Sequence, residues 1–277
     1  MLSFTHLYGK RALMLALLVS LAAPGPMRGQ TGLGLAPMRD ELKLAPGSTH
    51  SGVLMLANTA EDKVRVVGEV LDFYLDATGT PQFGPDYGQE AEFSCRQWLV
   101  ANPMEAEING KAQMPVRYTV RVPLTATARS YHCALGFTTQ PTAEQAKVIG
   151  LRTAVQIVAA IYVVVGQPVV EGTVKDLKLE YVPDPVHPQW RAVVTIANAG
   201  LMHFRPQGDL EVLDEKGVVV ETVHFAPLPV LPRRDQNFLF PLKLTAESTY
   251  SLRARIDLGG DEIQEASARV VASKPIP

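Results

Sequence analysis

The sequence predicts an all-β chain of two immunoglobulin-like Greek-key sandwiches behind a cleaved signal peptide. Three observations lead there. Long helical patterns are nearly absent, and short runs of alternating apolar residues are separated by Gly, Pro, Asn and Asp, with 21 prolines and 21 glycines to supply turns and strand edges. The octet VLMLANTA (Val53–Ala60) has a near-echo in VVTIANAG (Val193–Gly200), each copy closing the second strand of its block. The chain has 277 residues; less a leader, that is length for two cores.

The elements follow in order. Lys10 and Arg11 precede the apolar run Ala12–Ala23, and small residues and prolines come next. This is the pattern of a secretory signal peptide over residues 1–30, too short for the roughly twenty residues a membrane helix needs. Cleavage falls after Ala23 or nearer Gln30. In a first sandwich, residues 31–168, strands are expected at Leu35–Leu44, Ser51–Asn58 and Lys63–Leu75, then a Gly/Pro loop DATGTPQFGPDYG. A short strand around Trp98–Val100, the turn NPMEAEINGKA, and strands at Gln113–Val122, Tyr131–Thr138 and Leu151–Val165 complete it.

The segment VGQPVVEGT marks the boundary. A second sandwich, residues 169–272, opens with VKDLKLEYV and continues with Trp190–Asn198 and a hairpin through DEKG. The stiff loop APLPVLPRRD is held out of regular pairing by its prolines, and strands at Asn237–Leu244, Tyr250–Leu258 and Glu262–Val271 follow. Residues 273–277 are expected to be a disordered tail. In both echoes the Asn suits a strand exit, because it tolerates the left-handed conformation and hydrogen-bonds its own turn.

Composition excludes several functions. A net charge of −2, scattered Lys and Arg, and 7% aromatic residues give neither the basic patch nor the stacking platform that nucleic acid requires. GLGLAP (Gly32–Pro37) lacks the preceding strand and following helix of a dinucleotide loop. His50, His132, His187, His203 and His224 are scattered singly, so no metal and no cofactor is expected. Glu69, Asp72, Asp76, Glu90 and Glu92 could hold a glycosidase carboxylate pair; a solvated strand face is the alternative, and the chain is read as no enzyme. Cys95 and Cys133 in an exported chain favour one disulfide, worth roughly 3–4 kcal/mol in the chain-entropy model. Two separate buried thiols are the alternative.

The order of features resembles the periplasmic pilus-assembly chaperones of the PapD type. LAPMRDELKLAPGSTHSGVLMLANTAED is similar to their opening, an Arg-bearing strand, a turn, and a strand ending in an apolar residue, a small residue and Asn. CRQWLVANPMEAEINGKAQMPVRYTVRVP, SYHCALGFTTQP and GLRTAVQIVAAIYVVVGQP continue the likeness across residues 35–168. The second sandwich is only generically immunoglobulin-like. The resemblance implies a periplasmic or secreted protein that binds another exported protein, a pilus-like or surface subunit, by β-strand addition. No membrane anchor is expected after signal cleavage.

The family holds its client's terminal carboxylate with two basic residues. Arg39 matches the one on the first strand, or is simply an exposed strand residue; the other, a Lys, aligns with Ala160 and is missing. The family's donor strand aligns with Ala154–Val165. There Val155, Ile157, Ile161, Val163 and Val165 share one face, and Val158, Ala160, Tyr162 and Val164 share the other. The partner-binding candidates are therefore Arg39, Val155, Ile157, Ile161, Tyr162, Val163 and Val165. A strand apolar on both faces needs two covers. One is its own core, and the second is either a client or the contact between domains. The alternative function is a structural or adhesive envelope module that binds envelope polymer or surface proteins without chaperone activity.

Overall fold

A computed structural model describes residues 32–84, 88–143, 153–183 and 189–274. The signal-peptide reading lies outside the described residues. The described residues cluster as one compact unit, and among them the secondary structure is β apart from two short 3-10 turns at Gly88–Phe93 and Arg96–Trp98.

Among the described residues, the first sandwich holds ten strands: β1 (Leu33–Ala36), β2 (Arg39–Leu44), β3 (Thr49–Asn58), β4 (Val64–Leu75), β5 (Pro81–Gly84), β6 (Leu99–Asn102), β7 (Glu105–Ile108), β8 (Gln113–Arg121), β9 (Arg129–Gln140) and β10 (Gln156–Val165). One sheet runs β1-β3-β8-β6, the other β2-β10-β9-β4-β5 with β7 also on β4. Alternate side chains of both sheets meet in a core that includes Leu54, Leu56, Val116, Tyr118, Leu135, Ile161 and Val163.

The second sandwich is smaller: β11 (Gly172–Tyr181), β12 (Trp190–Asn198), β13 (Gln207–Leu213), β14 (Val219–His224), β15 (Asp235–Leu242), β16 (Thr249–Asp257) and β17 (Ile263–Val271). Three strands, β11-β12-β15, face four, β14-β13-β16-β17. That is an immunoglobulin-like Greek-key order. The all-β, two-sandwich class read from the sequence is the observed one.

Several elements differ from expectation. The run Leu35–Leu44 is two strands, not one. At Pro37, which has no N–H to give a ladder, the chain changes sheets: β1 pairs antiparallel with β3, and β2 pairs parallel with β10. The expected Gly/Pro loop contains β5, paired with the end of β4, and the expected turn NPMEAEINGKA contains β7, paired with its start. Trp98 ends a 3-10 turn, and β6 begins one residue later. The unforeseen strands β1, β5 and β7 have four residues each, too few to show alternation.

Asn58 and Asn198 explain the echo. Each is buried. Asn58 Oδ1 accepts from the Ala60 N–H at 3.0 Å, and its Nδ2 donates to Asp62 O at 2.8 Å and Ile108 O at 3.1 Å. Asn198 repeats the pattern with the Gly200 N–H (3.0 Å), Met202 O (2.8 Å) and Val230 O (3.0 Å). The expected self-bonded turn is present in both copies. Neither residue takes a positive φ, which among described non-glycine residues belongs to Lys111, Arg233 and Glu247.

Candidate functional site

β10 carries most of the candidate residues, so its two edges and two faces decide what it can do. One edge pairs with β9 along its whole length, from Gln156↔Thr138 to Val165↔Arg129. On the other edge β2 pairs only from Ala160↔Arg39 to Val165↔Leu44. Upstream of Ala160, no described strand pairs with that edge. The Ala160 N–H donates to Met38 O at 3.0 Å. Main-chain groups alternate sides along a strand, so those of Gln156 and Val158 face the same, open side.

The inward face is occupied. Ile161, Val163 and Val165 are fully buried in the core of the first sandwich, and Ala159 and Ile157 pack with them. Val155 precedes the strand and is half-buried; its N–H donates to Thr139 Oγ1 at 2.9 Å. The side chains of Ile161, Val163 and Val165 thus complete their own sandwich. Val155, Ile157 and Val158 are the partly exposed apolar residues of the open segment.

The outward face of β10 meets the second sandwich. Tyr162 and its neighbours Val158 and Ala160 pack with Leu71, Phe73, Leu75, Ala134 and Leu231 in a separate apolar cluster, to which Leu231 comes from the second sandwich. The Tyr162 ring lies 4.7 Å from that of His203 and 5.7 Å from that of Phe73; burial pushes its hydroxyl pKa up to about 12. Two polar seams frame this cluster. The Ser130 N–H donates to Leu201 O at 2.9 Å, and the His203 N–H donates to Ser130 Oγ at 2.9 Å. On the far side, the Asn237 N–H donates to Ala77 O at 3.0 Å. The contact between the sandwiches is therefore the second cover at Tyr162.

Arg39 sits where β2 begins, opposite Ala160, with half its side chain exposed. Two residues on, Glu41 shares its face. Arg39 Nε lies 3.4 Å from Glu41 Oε1, and Arg205 Nη2, from the second sandwich, lies 3.0 Å from the same oxygen. His203 Nε2 is 3.9 Å from Oε2, an ion-pairing distance longer than a hydrogen bond. Arg205 also stacks over the Tyr162 ring at 4.9 Å. Interaction with His203, then the charges of Arg205 and Arg39, outweigh partial burial and hold the Glu41 carboxyl down at about 2. Asp40, on the opposite face, is engaged by the Tyr118 hydroxyl.

Glu41 was legible as the i+2 neighbour of Arg39. His203 and Arg205 carried no signal, because they lie in a loop about 160 residues downstream and reach Glu41 only when the sandwiches dock.

Cys95 and Cys133 form a disulfide, with Cα atoms 5.2 Å apart. It ties the segment before the second 3-10 turn to β9. Among the described residues there is no group of three or more His, Cys, Asp or Glu placed to hold a metal, and no helix long and apolar enough to cross a membrane. A cleft of about 690 Å³ lies where the end of β4 meets residues 232–235. Of its charged lining, Arg234 stacks on Tyr74, Glu92 pairs with Arg129, Asp235 pairs with Lys175, and Asp76 accepts from Thr78 and Thr80; Arg233 lines it too.

No protein-family model matches the chain, and no curated protein matches it in sequence. Solved structures are similar to the chain at low identity. The chain is similar to the E. coli chaperone DraB at 15% identity and a TM-score of 0.42, over 85% of this chain and 98% of that one. It is similar to a chain of the CsuC–CsuE chaperone–tip adhesion subunit pre-assembly complex of Acinetobacter baumannii at 11% identity and 0.43, over 88% and 100%. It is also similar to a chain of the Salmonella enterica SafA pilin–SafB chaperone complex at 13% identity and 0.42, over 88% and 97%.

Proposed function

We propose that the chain is an exported, chaperone-like binding protein that receives a strand of another exported protein on the open segment of β10. The observation that carries this is the interrupted edge. Among the described residues, no strand pairs with β10 over Gln156–Ala159 on the side where β2 takes over at Ala160. Outward-facing main-chain groups of Gln156 and Val158 can bond a new strand, with Val155, Ile157 and Val158 as its apolar neighbours.

The geometry and charge at Arg39 favour one polarity for that strand. It cannot run past Ala160, because β2 fills the edge from there. A strand parallel to β10 would end at Arg39 with its terminal carboxylate, and Arg favours this by its charge and planar fork. An antiparallel strand would bring a terminal ammonium against the same guanidinium, which charge disfavours. The periplasm is the proposed location, on the resemblance of the sequence to periplasmic chaperones.

The test is capture from periplasmic extract with tagged mature protein, wild type beside Val158→Pro, with recovered proteins identified by mass spectrometry. Proline at 158 removes an outward N–H and leaves the bonds to β9, which residues of the other parity make. One exported partner near equal stoichiometry, lost in Val158→Pro, supports strand addition. A well-folded wild type that recovers no stoichiometric partner, or a partner kept by the variant, overturns it.

A further inference from the structure

Two imidazoles, one from each sandwich, are buried in the seam between them. His132 stands on the outward face of β9, opposite Tyr162 of β10, and is 2% exposed. His203 comes from the second sandwich and is 4% exposed. Phe73 lies edge-on to His132 at 5.0 Å and to Tyr162 at 5.7 Å, and the Tyr162 ring lies 4.7 Å from that of His203. Leu231 of the second sandwich packs on the same Phe73 and Tyr162.

The second sandwich brings groups that oppose a proton on His132. Arg234 and His203 act on it across the seam, and Arg205 lies over the neighbouring Tyr162 ring. The acids of nearby strands are committed elsewhere. Asp72 of β4 accepts from Ser94 Oγ, and Glu41 of β2 pairs with Arg205 and Arg39. Glu41 also lies 3.9 Å from His203, which therefore has an acid to meet a proton of its own. Tyr162 is a neutral phenol, its pKa raised to about 12. A hydrogen bond to the Phe73 backbone favours a charged His132, and burial with the charges across the seam outweighs it. Coupling is reciprocal: if docking opposes the proton, the proton opposes docking to the same extent.

We propose that docking of the two sandwiches is gated by a proton at His132. The neutral imidazole lets the second sandwich close over β9, and acid opens the seam while both sandwiches stay folded. The docked pKa of His132 is about 3, against about 6.5 for an exposed His. Docking is thus fully favoured above about pH 6.5 and weakens up to tenfold per pH unit from there toward 3. Val158 packs in the same seam cluster, so the gate would also alter the receiving segment of β10. That consequence rests on the strand-addition reading; the gate does not.

The test is small-angle scattering of the mature chain from pH 7.5 to pH 4, with circular dichroism on the same samples. The wild type should gain radius of gyration as pH falls while its circular dichroism remains that of the folded chain. His132→Gln and His132→Phe, which cannot take the proton, should stay compact over the same range. A radius that stays flat until the folded signal is lost overturns the gate. So do variants that open at the wild-type pH, or that are already open at pH 7.5, since His132 would then serve packing alone. Capture at pH 7.5 judges strand addition separately. A working gate with no partner captured would sink only the strand-addition reading, and a captured partner with a seam that stays closed in acid would sink only the gate.

Discussion

Asn58 and Asn198 perform the same work at two places in the chain. Each side chain spends its oxygen on the N–H two residues ahead, and its amide on a carbonyl four residues ahead and on a carbonyl from elsewhere in the sandwich. A buried carbonyl left without its donor costs about 1–3 kcal/mol, and each Asn satisfies two or three. Asn58→Ala and Asn198→Ala should therefore each lose roughly 2–4 kcal/mol, read as a lower midpoint with unchanged slope in urea unfolding. Asn→Asp should cost nearly as much, since it keeps the acceptor and loses the amide donor. A loss under about 0.5 kcal/mol, the range of ordinary surface substitutions, would show that water replaces these bonds. The echo was visible in the sequence, and so was the local bond to the turn. The longer bonds to Ile108 and Val230 were not, because their partners are 50 and 32 residues away.

At the scale of an element, β10 separates edge from face. Its inward residues Ile161, Val163 and Val165 belong to the core, so Val163→Arg should unfold the first sandwich, at a cost of roughly 3–5 kcal/mol for an unpaired buried charge. Val158→Pro deletes a donor that faces an open edge and trims a side chain from the cluster around Tyr162, so it should cost only about 1–2 kcal/mol of stability. Circular dichroism during urea titration distinguishes the two; equal destabilisation would mean that the edge at Val158 is paired in solution. Alternation alone told which residues of β10 share a face. It could not tell which face a client meets, because an apolar side chain is suited alike to its own core, a neighbouring sandwich or a partner strand.

For the whole molecule, the contact between sandwiches is a small apolar cluster held between polar seams. Leu231 is its contribution from the second sandwich. Leu231→Asp should loosen the pair without unfolding either sandwich, since neither main core contains this residue. Small-angle scattering should then show a larger radius of gyration, and limited proteolysis should cut within residues 166–171; an unchanged scattering curve would assign the docking to the polar seams alone. Acid should act on the same contact. Burial is the main cause that holds His132 neutral, with its pKa lowered to about 3, and Glu41 is lowered to about 2. Both folded values lie below the unfolded ones, so the unfolded chain binds more protons in acid. Their stabilisation is complete above about pH 6.5 for His132 and about pH 4.5 for Glu41. It is lost as pH falls toward 3 and 2. The melting temperature should drop between pH 7 and pH 4, and His132→Phe should flatten the upper part of that drop.

By itself the sequence determined the class and the plan: alternation at short range, turn residues between runs, two blocks of strands with matching Asn exits, and an Arg at the head of β2. These are local or periodic properties, and local rules read them. Tertiary structure alone decided the change of sheet at Pro37, the half-open edge of β10, and the meeting of Arg39, Glu41, His203 and Arg205. The physical reason is common to all three. An edge is open or closed, and a charge paired or spare, only through what the rest of the chain brings alongside. Glu41 and Arg205 are 164 positions apart until the sandwiches dock.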